Sequence, residues 1–465
     1  MLFTIFEFID IRYMSTVNKS KLPPGPKSKF PLGHLFSYRR DSIGFLKKIA
    51  REYGDIVHFK MGPIRIVLLN HPDYIKEVLT VQHRNFVKGR PLEMAKELLG
   101  EGLLTSEGEF HKRHSRMIQP AFHRNMIESY VPAVTKCITQ MMSRWEDGMK
   151  TDMKDEMTHM SIAIAGRTLF NADIEKEAPE ISKALDTATS LFGRISLPFS
   201  EWLLKLPLPG NLRFYKAKEK LDDIIRRMVN ERRQNKMDNG DLLSLLLRSQ
   251  DENGNRGLSE QEIRDEAITL FLTAFDTTST ALTWAWYLLS QNPQAEAELS
   301  KELDEVLNGR LPVAEDIPNL KYCRMVFGES MRLYPPSYVI PRQAIEDFAI
   351  DKYIVPRGSI VLMSPYLIQR DSRFYSDSEK FDPYEWDKHS HGLNSKYEYF
   401  PFSRGPRSCI GEPFAWMQAI LTLASIAQSW RIKLVPDHPV ELEPLINLRP
   451  RYGMKMTVHR RKQKE

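Results

Sequence analysis

One cysteine stands where it could do chemistry, in Pro401-Phe402-Ser403-Arg404-Gly405-Pro406-Arg407-Ser408-Cys409-Ile410-Gly411. Gly405, Pro406 and Gly411 favour a tight, irregular backbone around Cys409 rather than a helix through it. The apolar run after Gly411 reads as a helix, and its positive end would point back at the sulfur and favour thiolate. Arg407 offers a fixed positive charge to an anion on the same side. A thiolate so placed serves as a nucleophile or as a metal ligand. A nucleophile wants a nearby base, and no Cys-His signature surrounds Cys409. Zinc wants further Cys or His ligands at short spacing, which this loop lacks. A lone axial thiolate on haem iron fits better. The bland alternative is a buried structural cysteine.

Two other groups stand out by type and spacing. Asp276-Thr277-Thr278-Ser279-Thr280 is a polar island inside the longest apolar stretch of the chain. Burying it is costly unless it is paired or wet. Glu329-Ser330-Met331-Arg332 places an acid and a base at i,i+3, on one face of a helix. By itself that spacing is weak, because any exposed helix can carry it.

The elements that must position these groups follow from pattern. Ser259 and Glu262 form a capping box, and no Pro or Gly follows until Pro293. That predicts a helix of about 30 residues, about 45 Å long. Residues 267–289 are apolar on nearly every side, so this helix belongs inside a large domain. An amphipathic helix is expected near residues 41–53, and residues 55–69 read as a hairpin turning at Gly62-Pro63. Residues 72–235 are mostly helical in pattern, cut by turns such as Leu206-Pro207-Leu208-Pro209-Gly210, and residues 251–255 form a polar loop. Short strands are expected at 348–354 and 359–363, a buried helix at 414–430, and a loop and strand at 444–459. The fold class is mainly α with small β-sheets (α+β), in one body.

The chain has 465 residues, 42% hydrophobic and 27% charged, which suits a soluble globular protein. Its three cysteines are far apart, so no disulfide framework is implied and a reducing, cytoplasmic setting is expected. A net charge of +6 is mild for this length and, with no RNA- or DNA-binding motif, argues against nucleic acid as partner. The start, Met1-Leu2-Phe3-Thr4-Ile5-Phe6-Glu7-Phe8-Ile9-Asp10-Ile11, is apolar but interrupted by acids. It falls short of the roughly 20 apolar residues of a spanning helix and lacks the pattern of a signal peptide. Residues 1–20 are read as a tail, self-packed or lying on an interface, with no stable membrane span. The proline-rich break at residues 21–26 separates it from a catalytic domain at 21–465.

Phe402-x-x-Gly405-x-Arg407-x-Cys409-x-Gly411 resembles the haem-binding signature of the cytochrome P450 family position for position, and the resemblance extends from residue 23 to 459. It implies a single-domain fold with haem b, iron protoporphyrin IX, between the long helix and the cysteine loop. Cys409 would be the axial ligand of the iron, with Phe402, Gly405 and Gly411 shaping its loop. Thr273-Ala274-Phe275-Asp276-Thr277-Thr278 resembles the family's oxygen-activation motif, with Ala274 where Gly is usual. Thr277 would hold oxygen and an ordered water, and Asp276 would feed the proton relay. The alternative leaves Thr277 bonded to a helical carbonyl and Asp276 in a buried ion pair.

Glu329 and Arg332, followed by Leu333-Tyr334-Pro335-Pro336, match the family's structural pair. The third partner is usually an Arg, but Phe381-Asp382-Pro383-Tyr384-Glu385-Trp386 places Glu385 there. Either another base compensates, with Arg404 a candidate, or Glu385 turns outward. The haem propionates want cations, and the resemblance points to Arg407 and Arg342. The family's Trp-x-x-x-Arg is read as Phe110-x-x-x-His114, with His114 donating. Pocket positions fall in residues 86–104 and 192–197, at Phe275, Val339 and Ile340. They suggest a lipophilic substrate such as a fatty acid, terpenoid or steroid. The implied activity is insertion of one atom of O2 into a C–H bond. Electrons would come from a ferredoxin or flavodoxin-type donor with its NAD(P)H-dependent reductase. The rivals are an enzyme that uses or rearranges peroxides and a non-catalytic haem protein that binds a ligand.

Overall fold

Ser259 caps the longest helix of the chain. Its Oγ accepts from the Glu262 amide at 3.2 Å, and Glu262 Oε2 accepts from the Ser259 amide at 2.7 Å. This reciprocal pair satisfies amides that a helix start otherwise leaves orphaned. The helix runs Glu260–Gln291 and ends at Asn292, ahead of Pro293, because a proline disfavours helical backbone in the residue before it. Its 32 residues span about 48 Å at 1.5 Å each. From Ile263 to Leu289 it is buried on nearly every side, as its apolar pattern requires. The Met153–Leu169 helix packs along it, with Thr158 Oγ1 3.5 Å from Ser279 Oγ. Helices Lys321–Leu333 and Glu412–Ser429 also pack against it and share its core.

The computed structural model describes residues 22–28, 31–190, 206–235, 240–248, 257–390 and 397–461. The expected tail at 1–20, the pocket positions at 192–197 and the polar loop at 251–255 lie outside them. Among the described residues no helix is long and apolar enough to cross a membrane.

The sheets are small and each positions something. Strands Ile56–Met61 and Ile64–Leu69 form the expected antiparallel hairpin. Ile64–Leu69 then pairs in parallel with Ile360–Met363, which pairs antiparallel with Ile340–Ala344. The two-residue strand Phe86–Val87 closes that edge, with Phe86 opposite Ala344 and Val87 opposite Gln343. This register carries the next residue, Lys88, to Arg342. A second hairpin pairs Leu442–Pro444 with Leu448–Pro450. Trp284 of the long helix stacks on Tyr334 at 4.3 Å and donates Nε1–H to the Leu448 carbonyl at 2.8 Å. That anchor lays Arg449 against the polar island. The architecture is mainly helical with small sheets, as the sequence predicts.

Candidate functional site

The cysteine loop is held by its own backbone. The Cys409 amide donates to the Phe402 carbonyl at 2.9 Å, and the Ser408 amide to the Gly405 carbonyl at 3.0 Å. Gly405 has φ +75°, and a Cβ there would lie 2.0 Å from the Leu79 carbonyl oxygen. Only glycine allows both that conformation and that approach. Phe402 packs in the core against Trp416, with ring centroids 6.3 Å apart. The Glu412–Ser429 helix starts just past the cysteine, and the Gly411 and Glu412 amides donate to its sulfur. Burial still dominates and pushes the free thiol up to about 11. Of the three cysteines Cys409 alone is exposed, whereas Cys137 and Cys323 are buried. The Cys409 sulfur is therefore open to a partner although the chain surrounds it closely, and a coordinating metal ion would deprotonate it outright.

Beside this loop lies a buried cluster of cations. Arg407 pairs with Glu107 and donates to the Ser106 carbonyl at 2.9 Å. Lys88, 8% exposed, donates its amide to Glu107 at 2.7 Å and its ammonium to the carbonyls of Leu103 and Leu104. Arg342, also 8% exposed, donates to the Pro341 carbonyl at 2.8 Å. Among the described residues neither the Lys88 ammonium nor Arg342 has a carboxylate within ion-pair distance. Burial, then Arg407 and Arg342, push Lys88 down to about 7. Burial, then Arg407, push Arg342 down to about 10. Burial, then Arg407 and Lys88, push His111 down to about 3, so that ring is neutral. Three cations thus face one carboxylate in contact, Glu107, with Glu266 acting from farther off, in a site where unpaired charge is costly. The two propionates of haem would supply the missing negative charge. With Cys409 adjacent, the donor set fits haem.

His114 lies beside this cluster, near enough to act on His111, but is bonded to other groups. Its Nδ1 is 2.6 Å from Glu266 Oε1, and its Nε2 lies 3.1 Å from Arg113 and 3.4 Å from Glu262. It stacks on Phe110 at 4.0 Å. The Phe110–His114 pair therefore pins the Gly108–Ile118 helix to the long helix, and both ring nitrogens are committed there. The ring that senses Arg407 and Lys88 is His111. Sequence reading missed His111 and Lys88. His111 and His114 share one buried face, so a histidine pair at i,i+3 was the available signal. A lone lysine after a two-residue strand gives almost none.

On the long helix Thr273, Ala274, Asp276 and Thr277 are partly open, in a stretch whose other residues are buried. Thr277 Oγ1 donates to the Thr273 carbonyl at 3.2 Å. Asp276 accepts from Arg449 at 2.6 Å and from Asn447 at 2.5 Å. Both contacts are those of the structural alternative. They still leave hydroxyls on an accessible face.

Glu329 and Arg332 form a two-pronged ion pair, with bonds of 2.7 and 2.8 Å and essentially no exposure. Arg332 fills its remaining donors with the carbonyls of Gln369, Ser378 and Lys380 at 2.7, 2.7 and 2.8 Å. Glu329 takes its further donor from the Asp382 amide at 3.0 Å. Glu385 pairs with Lys388 at 3.2 Å, and Arg404 donates to the Tyr399 carbonyl at 2.9 Å. Of the two alternatives, Glu385 is turned to Lys388 rather than to Glu329, whose further donor is a backbone amide.

A family model described as Cytochrome P450 matches residues 23–456. The chain is 36% identical to cyclooctatin synthase of Streptomyces melanosporofaciens, covering 90% of this chain and 91% of the relative. It is 34% identical to cyclooctat-9-en-7-ol 5-monooxygenase of the same organism, covering 90% and 93%. It is 34% identical to pentalenene oxygenase of Streptomyces avermitilis, covering 88% and 91%.

Proposed function

The chain belongs to the cytochrome P450 family, and from that premise we propose that it oxygenates a terpenoid, using haem b ligated by Cys409. It is a monooxygenase: a C–H bond, O2, two electrons and two protons become C–OH and water. Similarity to three enzymes of terpenoid oxidation favours that class over fatty acids and steroids. The observation that carries the site reading is the exposed Cys409 two residues from a cation that belongs to the under-neutralised buried cluster.

When bound, haem supplies the iron at which O2 is reduced and split. The chain does the rest. The Gly411 and Glu412 amides steady the Cys409 sulfur. Arg407, Arg342 and Lys88 would hold the propionates as cations, and His111 would serve as a neutral donor. Thr277 Oγ holds a proton and an ordered water, and Asp276 restores that proton. Electrons come from a ferredoxin or flavodoxin-type protein with its NAD(P)H-dependent reductase, in the cytoplasm. Residues 21–465 form the catalytic domain.

Lys88→Met should raise the rate of haem loss to an apoglobin acceptor by about 10-fold or more, the scale of one charge-assisted hydrogen bond. An unchanged rate would remove Lys88 from the propionate site. The substrate class is tested by titrating the holoprotein with pentalenene and cyclooctat-9-en-7-ol. The expected result is a saturable low- to high-spin shift from at least one, with a product heavier by one oxygen atom. Shift and product from a fatty acid or steroid, and from neither terpenoid, would overturn it.

A further inference from the structure

Both carboxylate oxygens of Asp276 are already taken. Arg449 Nη2 donates to Oδ1 at 2.6 Å, and Asn447 Nδ2 to Oδ2 at 2.5 Å. Arg449 is itself divided, because its Nη1 donates to Asp186 Oδ1 at 2.6 Å. Asp186 lies on the Ala178–Ser190 helix and also receives Lys154 Nζ at 3.5 Å. One buried guanidinium therefore bridges carboxylates on two helices, from a hairpin that Trp284 fixes in place. The three residues are far apart in sequence, so no single helix produces the bridge as a local by-product.

A guanidinium carries one positive charge, and two carboxylates divide its donors. We propose that Asp186 is a positioning residue that acts through Arg449: by holding part of the guanidinium it loosens the grip on Asp276 and keeps that acid able to take up and pass a proton. The inference rests on the reading of Asp276 as the relay acid. The surrounding charges agree in sign. Burial disfavours the Asp276 carboxylate, Arg449 favours it, and Asp186 disfavours it again. Arg449 faces Asp276 from the hairpin and Asp186 from the neighbouring helix. Lys154, on the Met153–Leu169 helix, reaches Asp186. Thr273, Thr277 and Thr280 beside it on its own helix, and Asn447, are neutral.

Two changes at the two ends of one bridge should then move Asp276 in opposite directions. Asp186→Asn frees the guanidinium to bind Asp276 with both terminal nitrogens. Arg449→Gln leaves Asp276 with neutral partners. A bridge that is only a structural brace would move the Asp276 midpoint through its charges but leave the rate of peroxide release and its isotope effect at the parent value in both variants.

The carbon monoxide-bound ferrous holoprotein is titrated with pH and read by infrared difference spectroscopy. Asp276 is identified as the carboxylic C=O band that Asp276→Asn removes. Asp186→Asn should lower its protonation midpoint by about 0.5–1 unit, limited because Asp186 is half-exposed, and Arg449→Gln should raise it by about 1–3 units. Arg449→Lys keeps the charge and should hold the midpoint near the parent value. If Arg449→Gln does not fold, the downward shift and the changed peroxide release in Asp186→Asn carry the test alone. In parallel, NADPH-driven peroxide release without substrate is measured in H2O and D2O with a surrogate ferredoxin and its reductase. If Asp276→Asn changes neither the rate nor the isotope effect, the relay reading falls and the inference with it. If Asp276→Asn slows release but the Asp186 and Arg449 variants shift the midpoint the same way or not at all, or leave release and its isotope effect at the parent value, the relay stands and the role of Asp186 is overturned.

Discussion

Cys409→Ser is expected to abolish product formation, a fall of at least about 10³-fold, while leaving a folded chain. The loop around Cys409 is closed by backbone bonds, from the Cys409 amide to Phe402 and from the Ser408 amide to Gly405. Serine keeps both. Serine differs from cysteine by a single atom, oxygen for sulfur, so the change removes little packing. What is lost is the thiolate, whose electron donation to iron favours O–O cleavage. A serine hydroxyl in the same place is a far weaker donor and stays protonated. Cys137→Ala and Cys323→Ala are the controls. Both residues are buried, and both variants should retain turnover. The measurement is product yield per haem beside far-ultraviolet circular dichroism. Turnover by Cys409→Ser within tenfold of the parent would remove the axial-ligand assignment.

Arg332→Met is expected to destabilise the fold by about 3–5 kcal/mol, because it strands the Glu329 carboxylate without a counterion. Glu329 and Arg332 are essentially unexposed. Burial disfavours the Glu329 carboxylate, and Arg332 is the cation that opposes this. The same change leaves the carbonyls of Gln369, Ser378 and Lys380 without their donor. Domains are stable by only about 5–15 kcal/mol, so much of the protein should fail to accumulate with haem. Glu329→Gln should be milder, about 1–3 kcal/mol, because it keeps the shape and one acceptor. Urea unfolding of the holoproteins at equal concentration checks both. A loss under 1 kcal/mol in Arg332→Met would show that the pair is not a main brace of the cysteine side of the core.

Local chemistry was legible in the sequence. The capping box at Ser259 and Glu262, the hairpin at Gly62-Pro63 and the glycines of the cysteine loop each follow from short-range rules, and all three are present. The parts that needed coordinates depend on register and on backbone groups. Lys88 meets Arg342 because Val87 pairs with Gln343, a register between distant segments that composition cannot encode. His111 and His114 lie on one helical face, and only packing decides that Glu266 takes the second while the cation cluster surrounds the first. Where the family's arginine is usual, Glu385 pairs with Lys388, and the further donor to Glu329 is the Asp382 amide, which leaves no mark in a side-chain motif. For Asp276 the sequence posed a relay acid against a buried ion pair. The structure shows the ion pair, with Arg449 shared between Asp276 and Asp186.

The central claim is that Cys409 places a thiolate on haem iron. The carbon monoxide difference spectrum of the reduced protein tests it most directly. A red-shifted Soret maximum of the thiolate type, lost in Cys409→Ser, is the predicted result. A maximum at the shorter wavelength of histidine-ligated haem in freshly prepared, fully folded protein would contradict it.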